Sequence, residues 1–358
     1  MIVMHPAEET LSDPRIAIEQ AGVPAMLARF SHVLADPATG GPLTVGDEHL
    51  ATQADSHRFL VTDGIPELYA DIDPATGAAV NAVSERVKRF YEETPFPNYD
   101  DVDSRWSLQA KAEAGIYAKL LDQQLPEGAL VWEAGCGTGQ LSNFLGMSWR
   151  RKVFAGDLCM NSLRLGKQFA DRNVIRNVCF VQANLFRPPF KNEVFDVVIS
   201  NGVLHHTGDC EGGFRSILAK VRPGGYILIG LYNSYARLPT LWKRWAFQHL
   251  GSSLHFLDPR LRELEANPGR LKAWFMDQYR HPHETRHSMD QVLSWFDNYG
   301  VEFVNGIPHL DGSDFMADES LFEPKARSNR VGRAATQLNM LLAGGKDGGL
   351  FIMIGRKR

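Results

Sequence analysis

Residues 131–140 read VWEAGCGTGQ, and the fold of the chain turns on them. An apolar start leads into Glu133, glycines follow at alternate positions (Gly135, Gly137 and Gly139), and Gln140 then opens a helical pattern. Glycines so placed let the backbone turn tightly and approach a ligand closely. The helix that follows presents unpaired N–H groups to a polar or anionic group. A dinucleotide-binding loop would need G-x-G-x-x-G. Counted from Gly135 and Gly137 the last position falls on Gln140, and counted from Gly137 and Gly139 it falls on Ser142, so that fingerprint fails. Asp157 stands eighteen positions beyond Gly139, at the end of the next apolar run. An acid there accepts hydrogen bonds from ribose hydroxyls in nucleoside-binding sheets. Together the two features predict a nucleoside site at the ends of neighbouring strands.

Outward from this point, apolar runs alternate with amphipathic ones. A helix over Leu108–Gln124 precedes the first strand; VFAGD (153–157), VCFVQAN (178–184), FDVVISNG (195–202) and GYILIGLYN (225–233) read as further strands, with helical patterns over NSLRLGKQFADRN and EGGFRSILAKV. Nearly all-apolar strands separated by amphipathic helices predict a parallel sheet covered on both faces, with right-handed crossovers. Ser288 and Gln291 form a capping box for a helix over 289–299 that closes at Gly300. VEFVNGI (301–307) and the terminal LFIMIGRKR complete an expected α/β fold, a seven-stranded, mostly parallel, doubly wound sheet.

Around this core the chain divides into four parts. Residues 1–24 are polar and expected to be flexible. Residues 25–72 form a small unit: the helical start MLARFSHVL, the turn DPATGGPL, and two strand-like runs ending in FLVTDGIPELY. Residues 73–104 read as a linker (76–88) leading into a helix around SERVKRFYEE, then the proline-broken TPFPNYDD, a stretch covering the site. The large domain spans 105–358, with insertions at 234–288, an aromatic-rich helical lid, and at 311–349.

The bulk numbers exclude several classes. The chain has 358 residues, 44% of them apolar and 22% charged, as in a soluble globular protein. Its net charge of −4 disfavours a nucleic-acid partner, although RVKR (86–89) and WKRW (242–245) are local basic runs. Cys136, Cys159, Cys179 and Cys210 form no CxxC pair, which suits reduced thiols rather than zinc or disulfides. With neither a signal segment nor a run of about 20 apolar residues, the expected location is cytoplasmic.

On these residues the chain resembles the class I S-adenosylmethionine-dependent methyltransferases, over about 105–233 and 289–358. The resemblance implies that Glu133 serves the methionine amino group, that Gly135, Gly137 and Gly139 form the cofactor loop, and that Asp157 holds the ribose. It places Leu158 against the adenine and counts Leu185 and Asn201 in the same cofactor site. Asn184 stands where many members carry an Asp that reads the adenine amino group; an Asn carbonyl accepts the same bond. SNGVLHH (200–206) and KVRPGGYILIG resemble the segments around the fourth and fifth strands of small-molecule methyltransferases. Residues 25–72 weakly resemble the zinc-ribbon-like domain that partners some methyltransferases, with Asp36 and Thr39 in the places of cysteines. No cysteine precedes Cys136, so no thiolate zinc site is expected there and no metal is assigned to the chain.

Methyl transfer from a sulfonium is an in-line displacement that needs alignment and exclusion of water. A base helps when the nucleophile is a hydroxyl or a protonated amine. His205 and His206 follow the fourth strand and are candidate bases, with loop packing as the plain alternative. Tyr91 and Tyr99 resemble the segment some members fold over the cofactor, and Tyr91 is placed with the catalytic candidates; core packing explains either ring equally well. The histidines of HPHETRH (281–287) suit a lid or loop better than a metal site. Most rings of LWKRWAF and KAWFMDQY are expected to pack, a few walling a substrate pocket. The absence of an NPPY or DPPY run and of a Pro-Cys nucleophile disfavours nucleic-acid substrates. A small or lipid-like acceptor, methylated on oxygen, nitrogen or carbon, is therefore favoured. The alternatives are a protein or RNA substrate presented by the N-terminal unit, and a non-catalytic cofactor-binding scaffold. Oligomeric state is left open.

Overall fold

The computed structural model describes residues 25–53, 56–99, 104–250, 258–265, 267–343 and 346–358. The expected flexible segment 1–24 lies outside the described residues. Strands β1 (Leu43–Val45), β2 (His49–Thr52), β3 (Arg58–Thr62), β4 (Ile65–Leu68), β5 (Leu130–Ala134), β6 (Lys152–Asp157), β7 (Val178–Ala183), β8 (Phe195–Asn201), β9 (Val221–Tyr232), β10 (Val301–Ile307) and β11 (Leu350–Lys357) form one sheet. Its order is β1-β2-β3-β4-β7-β6-β5-β8-β9-β11-β10. Strands β7-β6-β5-β8-β9 run parallel, and β11 inserts antiparallel between β9 and β10.

The expected seven-stranded sheet is thus corrected to eleven strands. The seven expected strands, β5 to β11, are present, and the N-terminal strands extend them. The meander β1–β4 is antiparallel, and β4 then joins β7 in parallel through Glu67↔Gln182 and Leu68↔Ala183. The edge of β7 carries unpaired backbone groups that an added strand satisfies, and the residue pattern of β4 alone gives no hint of its partner.

The side-chain period of two sorts the central strands onto two apolar layers. From β5, Leu130, Trp132 and Ala134 join one layer with Phe154, Phe190 and Phe195, while Val131 joins the other with Phe144, Phe169 and Phe180. Helix α6 (Met160–Arg172) buries Leu163, Gly166, Phe169 and Ala170, one stripe of a 3.6-residue repeat. The crossovers leave the carboxyl ends of β5, β6 and β8 at one rim of the sheet.

Three helical expectations shift. The linker read at 76–88 belongs to helix α2 (Pro74–Glu93), whose start is fixed by Asp73 accepting from the Ala75 N–H and by Pro74 in the first turn. Gly77 within it hid the pattern; it is needed because a Cβ there would meet Ile72 at 2.3 Å. The helix expected over 108–124 divides into α3 (Arg105–Ala114) and α4 (Ile116–Gln124) at the extended Gly115. The first insertion holds α8 (Leu238–Leu250), α9 (Pro259–Leu264), α10 (Pro268–Phe275) and a π-helical turn, Met276–Arg280. The remaining helices are α1 (Ala25–Arg29), α5 (Gln140–Gly146), α7 (Cys210–Leu218), α11 (Met289–Asn298) and α12 (Arg330–Leu342). No helix of the described residues is long and apolar enough to cross a membrane.

Candidate active site

A cavity of about 530 Å³ opens at the carboxyl ends of β5, β6 and β8. Its floor is the glycine loop. Glu133, the fourth residue of β5, is buried and accepts from the Ser142 hydroxyl. Burial pushes its carboxyl up to about 7; the bonds from Ser142 pull against this, and the charge of Asp157 adds to it. Asp157 ends β6 and clasps the loop: Oδ2 accepts from the Gly137 N–H at 2.8 Å and Oδ1 from the Cys159 N–H at 2.9 Å. Burial raises its pKa and these backbone donors partly offset the rise.

The three glycines differ in what they do. Gly135 and Gly137 line the cavity with φ of 81° and 54°. A Cβ on Gly135 would lie 2.4 Å from Val203, and one on Gly137 2.5 Å from the Phe96 carbonyl oxygen. Gly139 does not line the cavity; it sits at the N-terminus of α5, where a Cβ would lie 2.6 Å from the Phe180 ring. Its role is helix–sheet packing.

Leu158, Asn184, Leu185 and Asn201 all line the cavity. The Asn184 amide is engaged at both ends, Nδ2 donating to the Ala70 carbonyl at 2.9 Å and Oδ1 accepting from the Phe186 N–H at 3.0 Å. A ligand amino group would therefore have to share Oδ1. Asn201 presses against β9 so closely that a Cβ on Gly230 would lie 1.8 Å from its Oδ1.

The roof comes from α2, from the loop after β8 and from the first insertion. Tyr91 of α2 and His206 line the cavity; His205 does not. His205 is fully buried, packs 4.1 Å from the Tyr232 ring, and has no hydrogen-bond partner for either ring nitrogen among the described residues. The structure brings Tyr91 and His206 together and sets His205 behind Tyr232. The His206 Nδ1 donates to the His283 carbonyl at 2.9 Å, which leaves Nε2 as an acceptor, and burial holds its pKa down at about 3. The imidazole is neutral. Tyr91 donates to Asp277 Oδ1 at 2.9 Å, and burial, with that carboxylate beside it, raises the phenol far above its usual range. Tyr99 instead stacks on Phe169 at 4.6 Å and donates to the Thr138 carbonyl.

Sequence reasoning missed the insertion's contribution. Trp274, Asp277 and Gln278 line the cavity and are spaced i, i+3, i+4 along α10 and the π turn. The spacing was there to read, but nothing in it distinguishes a wall from a core face. Trp242 and Trp245, in contrast, are exposed, and Phe247 packs with Leu261 and Tyr279. Of the loop histidines, His281 stacks on His206 with centroids 3.7 Å apart, tying the lid to the loop after β8.

The donor set fits a ribose-bearing ligand with a positive charge. The buried Glu133 and the half-buried Asp157 line the cavity from adjacent strands, and the Tyr117 hydroxyl lines it without a partner among the described residues. Gly202 opens onto it as well, for a Cβ there meets nothing within 4 Å. S-adenosylmethionine carries an ammonium, a ribose and a sulfonium, so the residues suit that cofactor.

Comparison with known proteins agrees with this geometry. A methyltransferase-domain family matches residues 132–229. The chain is 30% identical over 186 residues to the ubiquinone/menaquinone biosynthesis C-methyltransferase of Yersinia enterocolitica, covering 50% of this chain and 70% of that enzyme. It is 24% identical over 257 residues to an uncharacterized protein of Synechococcus sp., covering 63% of this chain but only 61% of that protein's length. Among solved structures, PKMT2 from Rickettsia typhi in complex with AdoHcy is similar with a TM-score of 0.47 and 13% identity, over 70% of this chain and 54% of that one.

Proposed function

This chain belongs to the class I S-adenosylmethionine-dependent methyltransferases, and on that premise we propose that it methylates a small acceptor with an apolar body. The observation that carries this reading is the roof of the cavity, where Val87, Phe96, Trp274 and Val203 surround the few polar groups of Tyr91, His206 and Asp277. Such a site takes an apolar molecule and orients it by a small number of hydrogen bonds. The Yersinia relative, named for a ubiquinone/menaquinone pathway, accords with an apolar acceptor.

In this reading Glu133 binds the cofactor's ammonium, Asp157 its ribose hydroxyls, and Gly135 and Gly137 admit the chain of atoms between them. The bound cofactor supplies an electrophilic methyl group. Leu158 and Leu185 flank the base, and Asn201 shapes the wall against β9. Neutral His206 accepts a hydrogen bond through Nε2 and so orients the nucleophile. Tyr91 stays protonated and holds Asp277. The lid excludes water from the displacement. His205 packs behind Tyr232 and takes no direct part.

Of the chain's four parts we assign roles to three: 25–72 extends the sheet, 73–104 covers the site, and 105–358 carries the chemistry. The test is calorimetric titration with S-adenosylmethionine and S-adenosylhomocysteine, followed by transfer of a labelled methyl group into fractionated cell extract. Label in the small-molecule fraction supports the reading. Label in protein or RNA alone, or no binding of either cofactor form, refutes it.

A further inference from the structure

The mechanism above assigns Glu133 and Asp157 to the cofactor and leaves a third acid on the cavity, Asp277, with no ion pair among the described residues. Asp277 is 4% exposed and lines the cavity. Its two oxygens accept from the Tyr91 hydroxyl at 2.9 Å and from Gln278 Nε2 at 2.8 Å, both neutral donors. Its neighbour Arg237 is committed elsewhere, pairing with both oxygens of Glu284 at 3.0 and 2.8 Å and stacking 3.6 Å over the Tyr232 ring. A buried carboxylate with only neutral donors is expensive to keep. It is carried on a π-helical turn, a rare geometry that is frequent at functional sites.

What surrounds it narrows the ligand. Tyr91, Trp274 and Phe96 line the same cavity, and aromatic faces beside a carboxylate are the setting that favours an organic cation. Burial raises the Asp277 pKa, opposed by the Tyr91 bond, the nearby charge of Arg237 and the Gln278 bond, and a cation arriving in the cavity would add to the groups that favour the carboxylate.

We propose that Asp277, presented by the π turn and held by Tyr91, binds the acceptor, and that the acceptor is a small alkylamine bound as its ammonium ion. This rests on the methyl-transfer reading of the cavity and narrows it to nitrogen. The ammonium gives one proton to Asp277; the freed lone pair forms the N–C bond while the C–S bond breaks and leaves its electrons on sulfur. The methylated amine carries the positive charge away, and Asp277 releases its proton to solvent as product leaves.

The experiment uses the full chain loaded with S-adenosylhomocysteine. Phenethylamine and n-hexylamine are titrated against their alcohol isosteres, 2-phenylethanol and n-hexanol, in wild type, Asp277→Asn and Tyr91→Phe. We expect at least one amine to bind tenfold or more tightly than its alcohol. That preference should vanish in Asp277→Asn and weaken in Tyr91→Phe, while affinities for S-adenosylmethionine and S-adenosylhomocysteine stay within about twofold of wild type. No amine preference in wild type, or an undiminished one in Asp277→Asn, overturns the proposal. So does selective loss of S-adenosylmethionine over S-adenosylhomocysteine in Asp277→Asn, for the charge would then serve the sulfonium. Failure of wild type to bind either cofactor form would instead refute the methyl-transfer reading itself. Circular dichroism of both variants separates loss of binding from loss of fold.

Discussion

On the proposed assignment Asp157 is the residue that binds the ribose, and its replacement separates two energies. In Asp157→Ala the ribose loses its acceptor. Hydrogen bonds to a charged group contribute about 1.5–3 kcal/mol each, so two ribose hydroxyls at the lower figure give about 3 kcal/mol, roughly a hundredfold in Kd. The same change removes the acceptor of the Gly137 and Cys159 N–H groups. Gly137 lies on the cavity, where water replaces the carboxylate, whereas Cys159 is fully buried. One stranded donor costs about 1–3 kcal/mol, so the variant should also unfold at lower temperature. Asp157→Asn keeps one acceptor and should fall between the two on both scales. Calorimetric titration with S-adenosylmethionine and S-adenosylhomocysteine, beside thermal unfolding, reads both quantities. Because the two ligands share the ribose, their affinities should fall together. Unchanged affinity in a folded variant would refute the ribose assignment, and loss confined to S-adenosylmethionine would show that the acid serves the sulfonium.

Glu133 should make stability and affinity respond oppositely to pH. Its pKa in the free protein is raised from 4.5 to about 7, so its contribution to stability is present below 4.5 and lost as pH rises through 7; urea unfolding of wild type across that window should slope downward and that of Glu133→Gln should not. Cofactor affinity should rise over the same window, since the ammonium needs the carboxylate, and a flat titration series would remove that role. In the N-terminal unit, Asp36 accepts from the Ala38 N–H, the Thr39 hydroxyl and His57 Nδ1 at 2.8, 2.7 and 2.6 Å. Burial raises its pKa, but those bonds overcome it and leave the pKa below 3.8, so stability is present above 3.8 and lost as pH falls through the lower folded value. Asp36→Ala should cost about 1–3 kcal/mol, read by chemical denaturation, and added zinc should restore none of it. His206→Ala should raise the acceptor's KM with cofactor affinity intact; a kcat–pH inflection near 6.5 that vanishes in this variant would contradict a neutral imidazole.

The glycine loop and the acids that line the cavity beside it were legible because their constraints are local. Gly135 and Gly137 must turn and approach within a few residues, Glu133 and Asp157 must end successive strands, and a chain that meets those demands announces them in order. Gly139 was read for the wrong partner: its spacing fits the loop, but its contact is the Phe180 ring, a residue two strands away. The parallel character of the sheet's centre followed from alternation of pattern, though the strand order did not. The pairing of β4 with β7 did not, because two short registers, Glu67↔Gln182 and Leu68↔Ala183, leave no mark on either strand's composition.

The proposed acceptor half is non-local, and most of it stayed hidden. Tyr91 and Asp277 are 186 residues apart in sequence yet share a hydrogen bond; the segment around Tyr91 marked it as a candidate, whereas Asp277 sits in no motif. Trp274, Asp277 and Gln278 look like one face of an ordinary amphipathic helix, and the π turn at Met276–Arg280 that carries the acid on the cavity has no signature of its own in the sequence. Helical periodicity is blind to such a change, since one added residue per turn leaves apolar content untouched. The same geometry explains why the lid is anchored so heavily. Arg237 bonds Glu284, Gln278 and the Gly348 carbonyl together, and His281 stacks on His206. Both ends of the insertion are therefore fixed to the sheet, and the acid between them is held in register with the carboxyl ends of β5 and β6. On the proposed reading, an insertion pinned at these points is what gives the cofactor site its acceptor wall.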